Sequence, residues 1–299
     1  MRPTVSLTII ARDEEQNLPR ALGTAHDLAD EIIVVDTGSR DATVDVARSF
    51  GARVFPFRWT DDFSAARNFA LEQAAGDYIF SLDADDILPA PTRAMLKDRL
   101  PRLDPDQPCA VALTTIVLRT GAVTDHWAQV RIVPRRADVR WSFPIHESLE
   151  PALDRARIPV RSWADHGILH SGYLDAAAVG RKDARNDIIL ARAFAQDPDD
   201  VHIRYHLAQR AFTRGDYYGV IALLGDAPLP AAMPAGLYAR DLVRGITGLL
   251  AAARAVLPIG PPVRPPWLTE AEIEQRIAEA KAALPWPAGA LPCDLAALP

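Results

Sequence analysis

The sequence predicts an α/β fold, a mostly parallel sheet flanked by helices, followed by an α-helical C-terminal region. Three observations carry this. Short β-branched and aromatic apolar runs alternate with helical segments through the N-terminal third of the chain. Those segments have the length of crossover connections, which joins the strands as βαβ units. Beyond residue 175 the strand pattern ends and helical periodicity takes over.

Taken in order, the strands are "TVSLTII" (4–10), "EIIVVDT" (31–37), "ARVFPF" (52–57) and "DYIFSLD" (77–83), apolar enough for burial on both faces. The helix "NLPRALGTAHDLA" takes Asn17 as its N-cap, which leaves Pro19 in the first turn where proline is tolerated. "SRDATVDVARSFG" begins near Ser39 and stops at Gly51. "SAARNFALEQAAG" runs from Asp62 or Ser64 to Gly76. After residue 108, "CAVALTTIVLR", "QVRIVPRR" and "IPVRSWADHGILHSGY" read as mixed or antiparallel additions to the sheet. From about residue 175 the chain is helical, and "DVHIRYHLAQRAFTRGDYYGVIALLG" resembles one tetratricopeptide-like hairpin, with Ile203, Leu207 and Ala211 at helical spacing. A proline-rich stretch around one helix, at about 269–283, closes the sequence. The expected domains are 1–174 (sheet), 175–254 (helical) and 255–299 (proline-rich with one helix).

Composition narrows the partners. Lys+Arg is 33 against 39 for Asp+Glu, a net charge of −6 that argues against nucleic acid, whose backbone needs a basic surface. Cys109 and Cys293 show no CxxC spacing and are too few for a zinc cluster, so a reducing compartment is expected. The first apolar run is too short for a signal peptide and no stretch has the length of a membrane span. A cytoplasmic setting follows, with peripheral contact at the inner face of a membrane left open.

In an open parallel sheet, ligands bind beyond the carboxyl ends of the strands. Those ends read "ARDEE", "DTGS", "RWTDDFSAARN" and "DADD", a convergence of acidic and small polar residues. The first turn, "IIARDEEQN", lacks the G-x-G-x-x-G of a dinucleotide site, and there is no P-loop. A bound diphosphate would then be neutralised by a divalent cation, Mg²⁺ or Mn²⁺, with Asp85 as ligand. A phosphatase reading of D-x-D-x-T fails because Ile87 stands where threonine is needed.

The segments "SLTIIARDEEQNLPRAL", "DEIIVVDTGSRDATVDVARSFGARVF" and "WTDDFSAARNFALEQAAGDYIFSLDADD" resemble family 2 glycosyltransferases of the GT-A fold. The resemblance is to the bacterial branch with lipopolysaccharide-core glucosyltransferases and sublancin-type peptide S-glycosyltransferases, some with helical-repeat tails. It implies an inverting, metal-dependent hexosyltransferase using a nucleotide-diphospho-sugar, a UDP-sugar first. Asp36 would bind the base, unless it only caps the next helix through "DTGS". Arg67 would lie against base and ribose, unless it pairs with Asp61 or Asp62. Asp83 would meet the ribose or the metal shell, and Asp85 would be the principal metal ligand. The backbone at Ala11 and Arg12 would line the nucleoside, with Glu14 at its edge.

In "FPIHESLE", His146 and Glu147 stand where the branch carries its His-Glu pair, and Glu147 would be the general base. The glycine-bearing turn that the family places before this pair is not evident, since Trp141 and Ser142 occupy the position. His170 would complete the metal shell, and Lys182 or Arg185 would steady the leaving diphosphate, while Arg131 falls where the branch tends to place a basic residue. The acceptor is a glycan, a lipid-linked sugar, a peptide or a small metabolite, and the helical tail could bind it or form a homodimer. The competing reading is a non-catalytic partner-binding protein with a degenerate transferase domain.

Overall fold

The structure is a computed structural model, and it describes residues 2–119, 122–172, 176–227 and 236–257. By internal contact the chain divides into two units, the first ending at Ala191 and the second beginning at Arg192. The proline-rich segment with its expected helix falls, from residue 258 onward, outside the described residues.

The first unit is built on β1 (Val5–Ala11), β2 (Glu31–Asp36), β3 (Arg53–Pro56), β4 (Tyr78–Asp83), β5 (Asp86–Ile87), β6 (Ala110–Arg119), β7 (Ala122–Pro134) and β8 (Val160–His170). They form one sheet in the order β3-β2-β1-β4-β7-β6-β8-β5. The four N-terminal strands β1 to β4 are parallel, as the βαβ reading requires. Beside them β7 runs antiparallel to β4 and to β6, whereas β8 is parallel to β6. The crossovers are α1 (Leu18–Ala25), α2 (Thr43–Ser49) and α3 (Phe63–Gln73). The sheet is covered on both faces. Leu7, Ile9, Val34, Phe80 and Leu82 pack with Leu18, Leu22 and Leu96 on one side, and Ile33, Val35 and Ile79 pack with Ala70, Leu71 and Leu153 on the other. That two-sided burial is why these strands read as continuous apolar runs.

Several local expectations are corrected. Asn17 sits at the N-cap of α1 without capping it, and its amide donates instead to Glu14 Oε2 at 2.7 Å. The helix expected from Ser39 starts at Thr43, because Gly38 and Ser39 turn back to donate to the Asp36 carboxylate. Asp62 caps α3 as expected, accepting from the Ala65 amide at 2.9 Å. Three elements escaped the sequence reading: α4 (Ala90–Arg99), α5 (Glu150–Ala156) and the two-residue β5.

At the N-terminal ends of the strands, Glu31 knits three of them together. Its carboxylate accepts from Ser6 Oγ, the Ala75 amide and Arg53 Nη1 at 2.6, 2.6 and 2.8 Å. Gly76 donates to Ser6 Oγ at 2.8 Å, and a Cβ there would run into Ser6.

The second unit contains the end of α6 (Ala176–Gln196), then α7 (Val201–Thr213), α8 (Tyr217–Leu224) and α9 (Leu237–Val256). The hairpin α7–α8 turns at Gly215, whose φ of 77° favours glycine. Asp200 and Asp216 cap the two helices. Its core joins Ala208, Tyr217, Val220 and Leu224 to Ile246, Leu250 and Ala253. Of the three residues picked by spacing, Ile203 is buried and Leu207 and Ala211 are half-buried. Among the described residues no helix is long and apolar enough to cross a membrane.

Burial raises the Glu31 carboxyl, but the Ser6, Ala75 and Arg53 bonds outweigh it and leave it below its ordinary range. A depressed carboxylate contributes stability that is present above its unfolded value and lost as pH falls through its folded one. Urea midpoints measured from neutral to acid pH should therefore fall more steeply for the wild type than for Glu31→Gln. Parallel profiles would show that Glu31 does not contribute.

Candidate active site

The acidic turn is assembled by one short strand pairing. After β4 ends at Asp83, the chain turns through Ala84 and Asp85 into β5, where Asp86 pairs with His170 and Ile87 with Leu169. Ser171 locks the turn, its amide and hydroxyl both donating to the Asp85 carbonyl at 3.0 and 2.8 Å. The result gathers Asp83, Asp85, Asp86 and His170 with one ligand atom from each within 4.8 Å of the others. Oxygen-rich donors with one imidazole suit Mg²⁺ or Mn²⁺, so the residues fit such an ion.

Three carboxylates this close need counter-charge, and arginines supply most of it. Arg131, on β7, is only 1% exposed, and its guanidinium stands 3.3 Å from Asp83 Oδ2 and 3.2 Å from Asp86 Oδ2. Arg67, on α3, pairs with Asp83 from the other side. Burial alone would raise the Asp83 carboxyl, but Arg131 and Arg67, with His170, hold it well below the usual carboxylate range. Asp86 is fully buried, and burial together with the nearby Asp83 charge pushes its carboxyl up despite Arg131. His170 Nδ1 lies 2.9 Å from Asp86 Oδ1 and 3.4 Å from Asp85 Oδ1. Burial opposes its charged form, yet the Asp86 bond and the Asp85 and Asp83 charges push it to about 9. The other Asp85 oxygen accepts from Lys182 Nζ, on α6, at 2.8 Å. Gly172 makes room for that contact, because a Cβ there would strike both Asp85 Oδ2 and Lys182 Nζ.

Arg67 also reaches Glu147 Oε1, at 2.6 Å, and its guanidinium lies over the Trp141 ring, 4.9 Å from the centroid. One buried cation thus ties the acidic turn to the predicted base. Neither Asp61 nor Asp62 takes part in these pairs, which removes the helix-surface alternative for Arg67. The segment carrying His146 and Glu147 is pinned to α3. Asn68 exchanges hydrogen bonds with the Trp141 backbone at 2.8 and 2.9 Å, and the Phe63 amide donates to the Pro144 carbonyl at 2.8 Å. Ser142 and Ser148 pair as an isolated bridge that closes the loop. Phe143 and His146 both take left-handed φ values, 72° and 52°, so the chain turns before and at this pair through two residues with side chains and without a glycine.

These groups line one cleft of about 490 Å³. Glu14, Arg67, Asp83, Asp85, His146, Glu147, His170 and Lys182 all face it, with Arg131 and Arg185. Burial and the Asp85 charge raise the Glu14 carboxyl, an effect partly offset by Asn17. Ala11, Arg12 and Asp36 stand outside the cleft lining. Ala11 closes β1, its carbonyl taken by Thr37, and pairs with Asp36 across the sheet. Arg12 is exposed beside Asp13. Asp86 and Trp141 were not picked from sequence as site residues, and Arg131 had no assigned role. A charged residue between Val130 and Ile132 in an apolar strand was the available signal.

Residues 6–150 match the family described as Glycosyl transferase family 2. A TPR repeat-containing protein from Synechococcus elongatus is 39% identical over 219 residues, 71% of this chain and 53% of that protein. The glycosyltransferase SunS of Bacillus subtilis prophage SPbeta is 34% identical over 87 residues, 28% of this chain and 21% of SunS. The chain therefore spans about half of the first relative and a smaller part of the second. Among solved structures, Staphylococcus aureus TarS has a TM-score of 0.50 at 16% identity, covering 84% of this chain and 53% of TarS. Its fragment 1–349 in complex with UDP also scores 0.50, at 14% identity over 85% of this chain and 92% of the fragment. The N-terminal unit belongs to glycosyl transferase family 2 and has the GT-A fold.

Removing Arg131 would leave the buried Asp86 and the half-buried Asp83 beside it with too little counter-charge. Arg131→Met should lose roughly 3–5 kcal/mol in denaturant unfolding, the usual cost of breaking a buried pair. Adding Asp86→Asn should restore part of that loss. Additive losses in the double variant would show that the two side chains are not coupled.

Proposed function

We propose that this chain is an inverting, metal-dependent glycosyltransferase that moves a hexosyl group from a UDP-sugar to a hydroxyl or thiol acceptor. The observation that carries this is the cleft itself. It holds an oxygen-rich cluster suited to a divalent ion and a carboxylate, Glu147, linked to that cluster through Arg67. UDP is the nucleotide with which the TarS fragment of the same fold was solved.

In this reading the nucleoside lies at the ends of β1 and β2, where Ala11, Arg12 and Asp36 stand, with Glu14 at the cleft margin. Asp85 and His170 are the ligands, while Asp83 is held in place by its two arginines. Mg²⁺ or Mn²⁺ bound there would neutralise charge on the diphosphate leaving group. Lys182 adds a second cation for the same oxygens once it leaves Asp85. Glu147 takes the acceptor proton as the acceptor oxygen or sulfur bonds to the anomeric carbon. The bond to the phosphate oxygen breaks with its electron pair passing to the nucleotide, and a single displacement inverts the configuration. His146, exposed on the neighbouring wall, contacts the incoming acceptor. The reaction uses nucleotide sugars made in the cytoplasm, which is the location we assign.

UDP with Mn²⁺ at about a hundredfold excess over its dissociation constant should raise the thermal midpoint by roughly 5 °C. The shift should vanish on chelation and in Asp85→Ala. A folded wild type that no nucleotide stabilises would sink the proposal. Glu147→Gln keeps a polar partner for Arg67 but loses the base, so transfer should slow by about 10²–10⁴-fold. An unchanged rate would remove Glu147 from that role.

A further inference from the structure

The cations around the acidic turn are not equally held. Arg131 is wedged between Asp83 and Asp86, and Arg67 is committed to Asp83 and Glu147. Lys182 stands instead on Asp85, and its side chain is 28% exposed. It lies on α6 and not in the sheet, and an ammonium is a point charge on a flexible four-carbon stem. A small cradle receives it. Ser171 ties its loop to the Asp85 carbonyl through both its amide and its hydroxyl. The next residue, Gly172, offers its own carbonyl to Lys182 Nζ at 3.3 Å, so the ammonium bridges that carbonyl and Asp85 Oδ2. A Cβ at Gly172 would strike both partners, which means that the loop closes on the pair as tightly as glycine permits. An ion at the acidic cluster needs the same carboxylate, since Asp85 is one of the residues gathered there. On the oxygen that Lys182 holds, a divalent ion would stand at most about 5 Å from the ammonium, given an Mg–oxygen distance of about 2.1 Å. Two cations that close repel strongly beside a buried carboxylate.

We infer that Lys182 is an exchangeable counter-ion of Asp85, which opposes a divalent ion while it stands on that carboxylate and releases the carboxylate when a diphosphate gives its ammonium other oxygens. The inference rests on the transferase reading and deepens it, because it makes ion and nucleotide bind as a pair. Charge decides the direction. Asp83, Asp85 and Asp86 already face Arg67, Arg131, His170 and Lys182, so an ion arriving alone adds positive charge to a cluster that is compensated. A diphosphate brings negative charge with it, which answers the ion on one side and Lys182 on the other. Lys182 thus disfavours the ion alone and favours the ion together with nucleotide. A contact that only braces the fold would shift both affinities the same way. By linkage, the factor by which nucleotide tightens the ion is also the factor by which the ion tightens nucleotide.

The test compares wild type with Lys182→Met, Lys182→Gln and Lys182→Arg at neutral pH. Binding of Mn²⁺ alone is read from the loss of the free-ion EPR signal, and binding of UDP in saturating Mn²⁺ is read by calorimetry. The two neutral variants should bind Mn²⁺ alone about tenfold more tightly than wild type and UDP about tenfold more weakly. Lys182→Arg keeps the charge and should bind Mn²⁺ alone as wild type does. If the neutral variants gain no affinity for Mn²⁺ alone, or if they weaken both ligands, the exchange falls and the transferase reading stands. The same holds if Lys182→Arg gains ion affinity as they do, because charge is then not the cause. A wild type that takes up neither Mn²⁺ nor UDP removes both readings together. Lys182 is a partly exposed side chain, so none of the three replacements empties the core, and two neutral side chains of different polarity guard against a local effect of either.

Discussion

A single buried guanidinium sets the conditions for everything at the acidic end of this sheet. Arg131 reaches from β7 between Asp83 and Asp86, and without it the buried Asp86 and the half-buried Asp83 would face each other with like charges a few ångströms apart. Coulomb repulsion at that distance in a protein interior is large, and burial penalises each charge again. Arg131 therefore does not add one ion pair to a finished site. It makes the turn after β4 compatible with folding. The antiparallel insertion of β7 beside β4 is the topological feature that delivers it.

From that fixed point the remaining groups divide by freedom. Asp83 and Asp86 are held by arginines and by backbone contacts, which leaves them little scope to move. Asp85 faces His170 on one oxygen and Lys182 on the other, a mobile ammonium on a long stem. A rigid acid framework with one less constrained carboxylate is an arrangement that can accept an ion without rebuilding the turn. Arg67 extends the framework to Glu147, so the positions of that carboxylate and of the acidic turn are set by the same side chain. The Trp141 ring beneath Arg67 and the Asn68 bonds to its backbone stiffen that link.

The loop carrying His146 and Glu147 shows how one backbone geometry is reached by different means. The family's glycine-bearing turn is not evident here, and Phe143 and His146 adopt left-handed conformations themselves. Such positions cost energy for residues with a Cβ, and the surrounding contacts to Phe63 and Asn68 hold them. The second unit uses simpler means. Aspartate caps and one positive-φ glycine define its hairpin, and small residues such as Ala208 and Ala253 let its helices approach.

The parallel half of the fold was legible in the sequence, because strands buried on both faces must be apolar throughout and crossover helices must bury one stripe. Asp62 could be read as a cap for a similarly local reason, and its side chain accepts from the Ala65 amide. By itself the sequence determined the βαβ order, the acidic strand ends and the family to which they belong. The tertiary structure decided which cations answer those acids. In sequence Arg67 stood between a place against base and ribose and a pairing with Asp61 or Asp62, whereas the partners that the structure gives it lie 16 and 80 residues away. Arg131 reads as an anomaly in an apolar strand until β7 is set against β4. His170 enters the cluster only through the two-residue pairing of β5 with β8, too short to leave a periodic signal. Local patterns record what each segment must bury, whereas charge compensation is settled between segments that the sheet order alone brings together.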